Sequence, residues 1–117
     1  MEADIAILQE AYRHFNVRDI DGVLRLMIED VEWPNGMEAG WVHGQEAVRA
    51  YWTRQWLQID PHVNPVGFRD EGGKTVVLVE QVVRDLQGTI LQDRKVEHVY
   101  TLENGLIQKM EIRDLEA

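Results

Sequence analysis

Apolar residues recur at three- and four-residue steps in the first half of the chain and at two-residue steps in the second, and that change of period divides it into helices and strands. Ile5, Leu8, Tyr12 and Phe15 are interleaved with Glu2, Asp4, Gln9, Glu10 and Arg13, which predicts an amphipathic helix over residues 3–16. Asp19 is placed to cap a second helix, with apolar positions Ile20, Val23, Leu24, Met27 and Ile28. Gly22 weakens that helix, and the acidic pair Glu29 and Asp30 ends its pattern near residue 28. Residues 31–33 and 41–43 read as short extended pieces, and Pro34, Asn35 and Gly36 turn the chain between them. A third helix begins at Gln45, with Val48, Tyr51, Trp52, Gln55, Trp56 and Ile59 on its apolar face, and is stopped by Asp60 and Pro61.

Beyond this point the helical period is gone. Strands are predicted over residues 62–70, 74–84, 88–102 and 106–114, joined by the turn sequences EGGK, DLQG and ENG. Three helices followed by an antiparallel meander predict an α+β domain with the helices on one face of a curved sheet. In the last strand Lys109, Glu111 and Arg113 alternate with Gln108, Met110, Ile112 and Asp114, so one face is wet. Residues 76–83 are apolar on both faces, which an antiparallel strand supports only when its outer surface is covered; a partner subunit is the simplest cover.

Composition narrows the function classes. At 117 residues the chain is long enough for one core and too short for two, and 44% hydrophobic with 28% charged residues is ordinary for a folded domain. A net charge of −9 repels phosphate backbones and anionic lipid, so neither nucleic acid nor a membrane surface is an expected partner. The absence of cysteine removes disulfides, thiolate metal sites and a thiol nucleophile, and the acidic start MEADIAILQE lacks the basic end of a signal peptide; both point to the cytoplasm. No phosphate-cradling loop or nucleophile elbow is present, and neither a metal nor a cofactor is expected.

All four tryptophans, Trp33, Trp41, Trp52 and Trp56, fall in the stretch DVEWPNGMEAGWVHGQEAVRAYWTRQW. Such a cluster builds either a plain core or the wall of a ligand pocket. Asn35 and Gln81 orient a ligand if they face such a pocket, and otherwise satisfy backbone groups. His14 and His62 read as surface residues.

The order of elements, together with FNVRDIDGVLRLMIEDVEW, HGQEAVRAYW and the closing YTLENGLIQKMEIRD, resembles the SnoaL-like and ketosteroid-isomerase-like branch of the nuclear transport factor two-like superfamily. The resemblance implies a cone-shaped, cystatin-like fold in which a bent sheet wraps a long helix. It also implies an apolar pocket in the cone's mouth and dimers through the outer sheet. It leaves the chemistry open, because the superfamily holds isomerases, dehydratases, epoxide hydrolases, cyclases and proteins without catalysis.

Ketosteroid isomerases resemble VEDPVG where this chain has VEWPNG, so their proton-abstracting aspartate is replaced by Trp33. Counting back from Asn16 puts their oxyanion-binding tyrosine at Ala11, with Tyr12 about 100° round the helix, so that donor is expected to be lost. Matching YTL to their FRF puts the second oxyanion donor at His98, with Glu97 the competing assignment. Limonene epoxide hydrolases resemble the chain's end, where Asp114 matches their last-strand aspartate, but their Arg-x-Asp pair falls on Gln81 and Val83.

With His98 turned into the cone, alternation turns Tyr100 and Leu102 inward too. The resulting expectation is a small, largely apolar ligand held by Trp33, Asn35, Trp52, Trp56, Gln81, Tyr100, Met110 and Ile112. If the protein is an enzyme, His98 is the acid or base, with His43 at the cone's mouth or Asp114 as a second titrating group. The alternative is a module that binds without turnover.

Overall fold

The computed structural model describes residues 2–36 and 38–115. Helix α1 (Glu2–Asn16) and the short helix α2 (Ile20–Leu24) lead into strands β1 (Met27–Pro34) and β2 (Trp41–His43), then helix α3 (Gln45–Gln55). Four long strands complete the chain: β3 (Ile59–Glu71), β4 (Lys74–Asp85), β5 (Ile90–Glu103) and β6 (Leu106–Asp114). They form one six-stranded sheet in the order β2-β1-β6-β5-β4-β3, antiparallel except where β1 runs parallel to β6.

Helix α1 packs through Leu8, Ala11 and Tyr12. Its last residue is pinned to the sheet edge: the Asn16 carboxamide donates to the Val63 carbonyl at 2.6 Å and accepts from the Val63 N–H at 3.0 Å. One side chain thus satisfies both ladder groups of an edge residue that has no strand beyond it. As predicted, Asp19 caps α2, accepting from the Gly22 N–H at 3.0 Å.

Two predicted boundaries move. Helix α2 ends at Leu24 rather than near residue 28, because Met27 pairs with Ile107 of β6 and both are buried. The three- and four-residue spacing of Val23, Leu24, Met27 and Ile28 straddles a helix end and a strand start. Ile59, Asp60 and Pro61, expected to finish α3, instead open β3, where Asp60 pairs with Arg84 and Pro61 with Val83. β3 lies at the sheet edge, where a proline costs no ladder bond, so Pro61 does not break it.

His14 is not the surface residue expected. Its ring lies between α1 and α2, with Nδ1 3.0 Å from an Asp19 carboxylate oxygen, and a Cβ on Gly22 would sit 2.4 Å from that nitrogen. Gly22 therefore lets the two helices close on the imidazole.

The sheet register separates two faces. Val77, His98 and Ile112 lie in one inward row, and Thr75, Tyr100 and Met110 in the next. On the opposite face Arg69, Val76, Val99 and Glu111 share a row. Val76 and Val99 are only 1% and 6% exposed although they lie outside the core cluster. Their cover comes from within the chain, in a closed ring of ion pairs. Arg69 meets Glu97 at 2.6 Å and Glu71 at 2.9 Å, and Arg113 meets the same two carboxylates at 2.8 and 2.9 Å. Arg69 is the register partner of Val76, which places the ring on the face that carries the two valines. Hydrogen bonds from Arg113 and Arg69 hold the Glu71 carboxyl down to about 2. Val76 and Val99 are thus covered within one chain, whereas Leu78 and Val82, further along the same face of β4, are half-buried.

Candidate functional site

Between the inward face of the sheet and helices α1 and α3 lies a cavity of about 250 Å³. Its walls are mainly aromatic and aliphatic. Trp52 of α3 meets Trp33 of β1 edge-on at 5.4 Å between centroids, and Trp33 lies 6.4 Å from Tyr100. Trp52 is held from behind by Trp56, stacked at 5.9 Å, and is met edge-on at 5.3 Å by Phe15, which also lines the cavity.

The polar feature of the cavity is a chain of three buried side chains. The Tyr100 hydroxyl donates to Tyr12 Oη at 2.9 Å, and Tyr12 Oη lies 2.7 Å from His98 Nδ1. His98 is 5% exposed, and its Nε2 is buried with no partner among the described residues. These contacts select one tautomer. With Tyr100 donating to Tyr12, the Tyr12 proton is free for Nδ1, so the ring proton sits on Nε2 and one polar group is left open. The reverse direction would leave both Nε2 and the Tyr100 proton unsatisfied, at a further desolvation cost. Burial lowers the His98 pKa to about 4 and raises those of Tyr12 and Tyr100, so all three are neutral at pH 7. His98 is therefore a neutral imidazole on the cavity wall, with Nε2–H as its one open hydrogen-bonding group.

The sequence-derived candidates divide clearly. Trp33, Trp52, Gln81, His98, Tyr100, Met110 and Ile112 all line the cavity. Glu97, the competitor of His98, points the other way into the Arg69 and Arg113 ring. Trp56 lies behind Trp52 rather than on the cavity wall, beneath the Arg18 guanidinium at 4.9 Å. Asn35 is a turn residue: its side chain accepts from the Glu38 N–H at 2.9 Å. His43 is exposed on β2 beside Glu32 at 3.4 Å, away from the cavity wall. Asp114, 74% exposed, pairs with Arg94 at 2.9 Å instead of turning into the cavity. Trp41 leaves the tryptophan cluster for the sheet edge, where Lys109 Nζ lies 4.8 Å over its ring. Among the described residues no group of three His, Cys, Asp or Glu side chains could hold a metal.

Tyr12 corrects the expectation that the α1 donor is lost. Both Ala11 and Tyr12 face the cavity, and the longer side chain reaches His98. A one-position offset on a helix rotates a side chain about 100°, but that turn keeps Tyr12 on the buried stripe defined by Leu8. Gln92 and Arg94, also unassigned from sequence, line the cavity on the alternation that brings in His98.

Residues 8–110 match the SnoaL-like domain. The chain belongs to the SnoaL-like family. Among solved structures, an NTF2-like protein of unknown function from Burkholderia pseudomallei is 30% identical, with a TM-score of 0.85 over 98% of this chain and 92% of its own. TerC, crystallised with polyporic acid, is 27% identical, with a TM-score of 0.84 over 97% and 92%. A Mycobacterium tuberculosis protein in complex with estradiol-17β-hemisuccinate shares the fold at 19% identity, with a TM-score of 0.78 over 94% and 92%. No curated protein matches the chain. Trp33, Trp52 and His98, which line the cavity, lie within the matched residues.

Proposed function

We propose that this SnoaL-like protein binds an apolar, polycyclic or terpenoid-like molecule and holds one of its oxygens against the Nε2–H of His98. The observation that carries this reading is a buried imidazole nitrogen without a partner among the described residues, on a residue that lines a largely aromatic and aliphatic cavity. Such a group costs free energy until a ligand oxygen accepts from it. The co-crystal of TerC with polyporic acid supports a small-molecule ligand for the fold.

As an enzyme, the protein would catalyse an isomerisation, dehydration or cyclisation in which a ligand oxygen gains negative charge. The His98, Tyr12 and Tyr100 chain would stabilise that charge, and the chemistry needs only proton movement, hence no cofactor. The alternative is a non-catalytic binding module. It is favoured by Trp33 at the place of the isomerase base and by a cavity wall without a carboxylate among the described residues. The reading also carries a cytoplasmic location and a homodimer through the sheet's outer face.

Tryptophan emission tests the pocket, since Trp33 and Trp52 form its wall. Polyporic acid, steroids, terpenoids and aromatic polyketides are titrated against the protein, and at least one is expected to give a saturable change; none would mean a solid core. For any compound turned over, His98→Phe, which keeps a ring and removes the donor, is expected to lower the rate roughly 100-fold. An unchanged rate would remove His98 from the chemistry.

A further inference from the structure

We infer that Arg94 makes the cavity selective for ligands with a negative charge, so that its ligand is elongated, with an accepting oxygen at the buried end and an anionic group at the mouth. This rests on the cavity being a ligand site. Among the described residues Arg94 is the one formally charged side chain on the cavity wall, and it is a cation in a chain whose net charge is −9. The protein's overall field repels anions, so a guanidinium on the cavity wall reverses that preference locally.

Position sets the length of the ligand. Arg94 and His98 share the inward face of β5, four residues apart, which is roughly 13 Å along the strand. Val96, fully buried, lies between them, so the span is apolar. Beside Arg94, Gln81 of β4 is its register partner, and the Gln81 amide donates to Gln92 at 2.6 Å. The buried end thus offers one neutral donor, and the mouth offers amides and a cation. Two linked or fused rings bridge the distance.

Arg94 is available for this role. Its Nη1 pairs with Asp114 at 2.9 Å, but the two side chains are 44% and 74% exposed, and water screens such a pair. A ligand carboxylate or phenolate arriving through the cavity would displace Asp114 or share the fork with it, since a guanidinium presents five donors in one plane.

The test uses two scaffolds, each as an acid and as its methyl ester: a biphenyl with an acetyl group at one end and a carboxylate at the other, and estradiol hemisuccinate. Tryptophan quenching is expected to show the wild-type protein binding the acids about tenfold more tightly than the esters, as a hydrogen-bonded charge pair allows. Arg94→Gln is expected to abolish the difference by weakening the acids alone, and Asp114→Asn to widen it. Equal affinity of acid and ester for the wild type, or a preference that survives Arg94→Gln, would overturn the role of Arg94 while leaving the pocket intact. If neither form of either scaffold saturates, the ligand-site reading falls and this inference with it.

Discussion

His98 shows how one residue's identity and its setting separate. A histidine in solution titrates near neutrality, and only burial beneath Tyr12 and Tyr100 turns it into a neutral donor. The lowered pKa makes a stability prediction with a definite sign. Between 6.5 and about 4 the unfolded chain takes up a proton that the folded protein refuses, so this contribution is present above pH 6.5 and is lost as pH falls towards 4. The loss is about 3 kcal/mol for a shift of this size. Urea denaturation of wild type and His98→Gln at several pH values isolates it, because the difference between the two curves is expected to close as the pH drops; parallel curves would show that His98 titrates normally. Tyr12→Phe addresses the other end of the contact. It leaves His98 Nδ1 and the Tyr100 hydroxyl buried and unpaired, and is expected to cost about 1–3 kcal/mol by the same measurement.

At the level of elements, local pattern and tertiary structure part at the junction of α1, α2 and β1. The apolar spacing from Ile20 to Ile28 matches a helix throughout, yet β6 claims Met27 as a strand partner. Local period could not express that competition, because Ile107 is eighty residues away in sequence. Gly22 has the same lesson. In an exposed helix, Gly→Ala gains up to about 1 kcal/mol from propensity. Here the added carbon meets the His14 ring at 2.4 Å, so Gly22→Ala is expected to destabilise by about 1–3 kcal/mol through overpacking. Thermal melts of Gly22→Ala alone and with His14→Ala check this, and the second change is expected to restore part of the loss.

For the molecule as a whole, the outer face of the sheet is a charged lid over two valines. The Arg69, Glu71, Glu97 and Arg113 ring seals Val76 and Val99 without help, yet the same face is where the proposed homodimer would form. Light scattering is expected to give a mass near twice 13.6 kDa. A particle of single mass at micromolar concentration would mean that the ring alone accounts for the two-sided strand.

Period and composition were enough for the class of the fold, the strand alternation that sends His98 and Tyr100 to one face, and the crowding of aromatic residues around Trp33 and Trp52. These follow from nearest-neighbour geometry, which every residue carries with it. Which of the aromatic residues became wall and which became backing did not follow. Trp56, Asn35, His43 and Asp114 were plausible by type and lie off the cavity, whereas Tyr12 and Arg94 lie on it. Their places depend on how α1 and α3 pack on the sheet and on irregularities that shift register, such as the one between Thr101 and Leu102 in the β5–β6 pairing. Those are sums over contacts between residues distant in the chain, so no local pattern contains them.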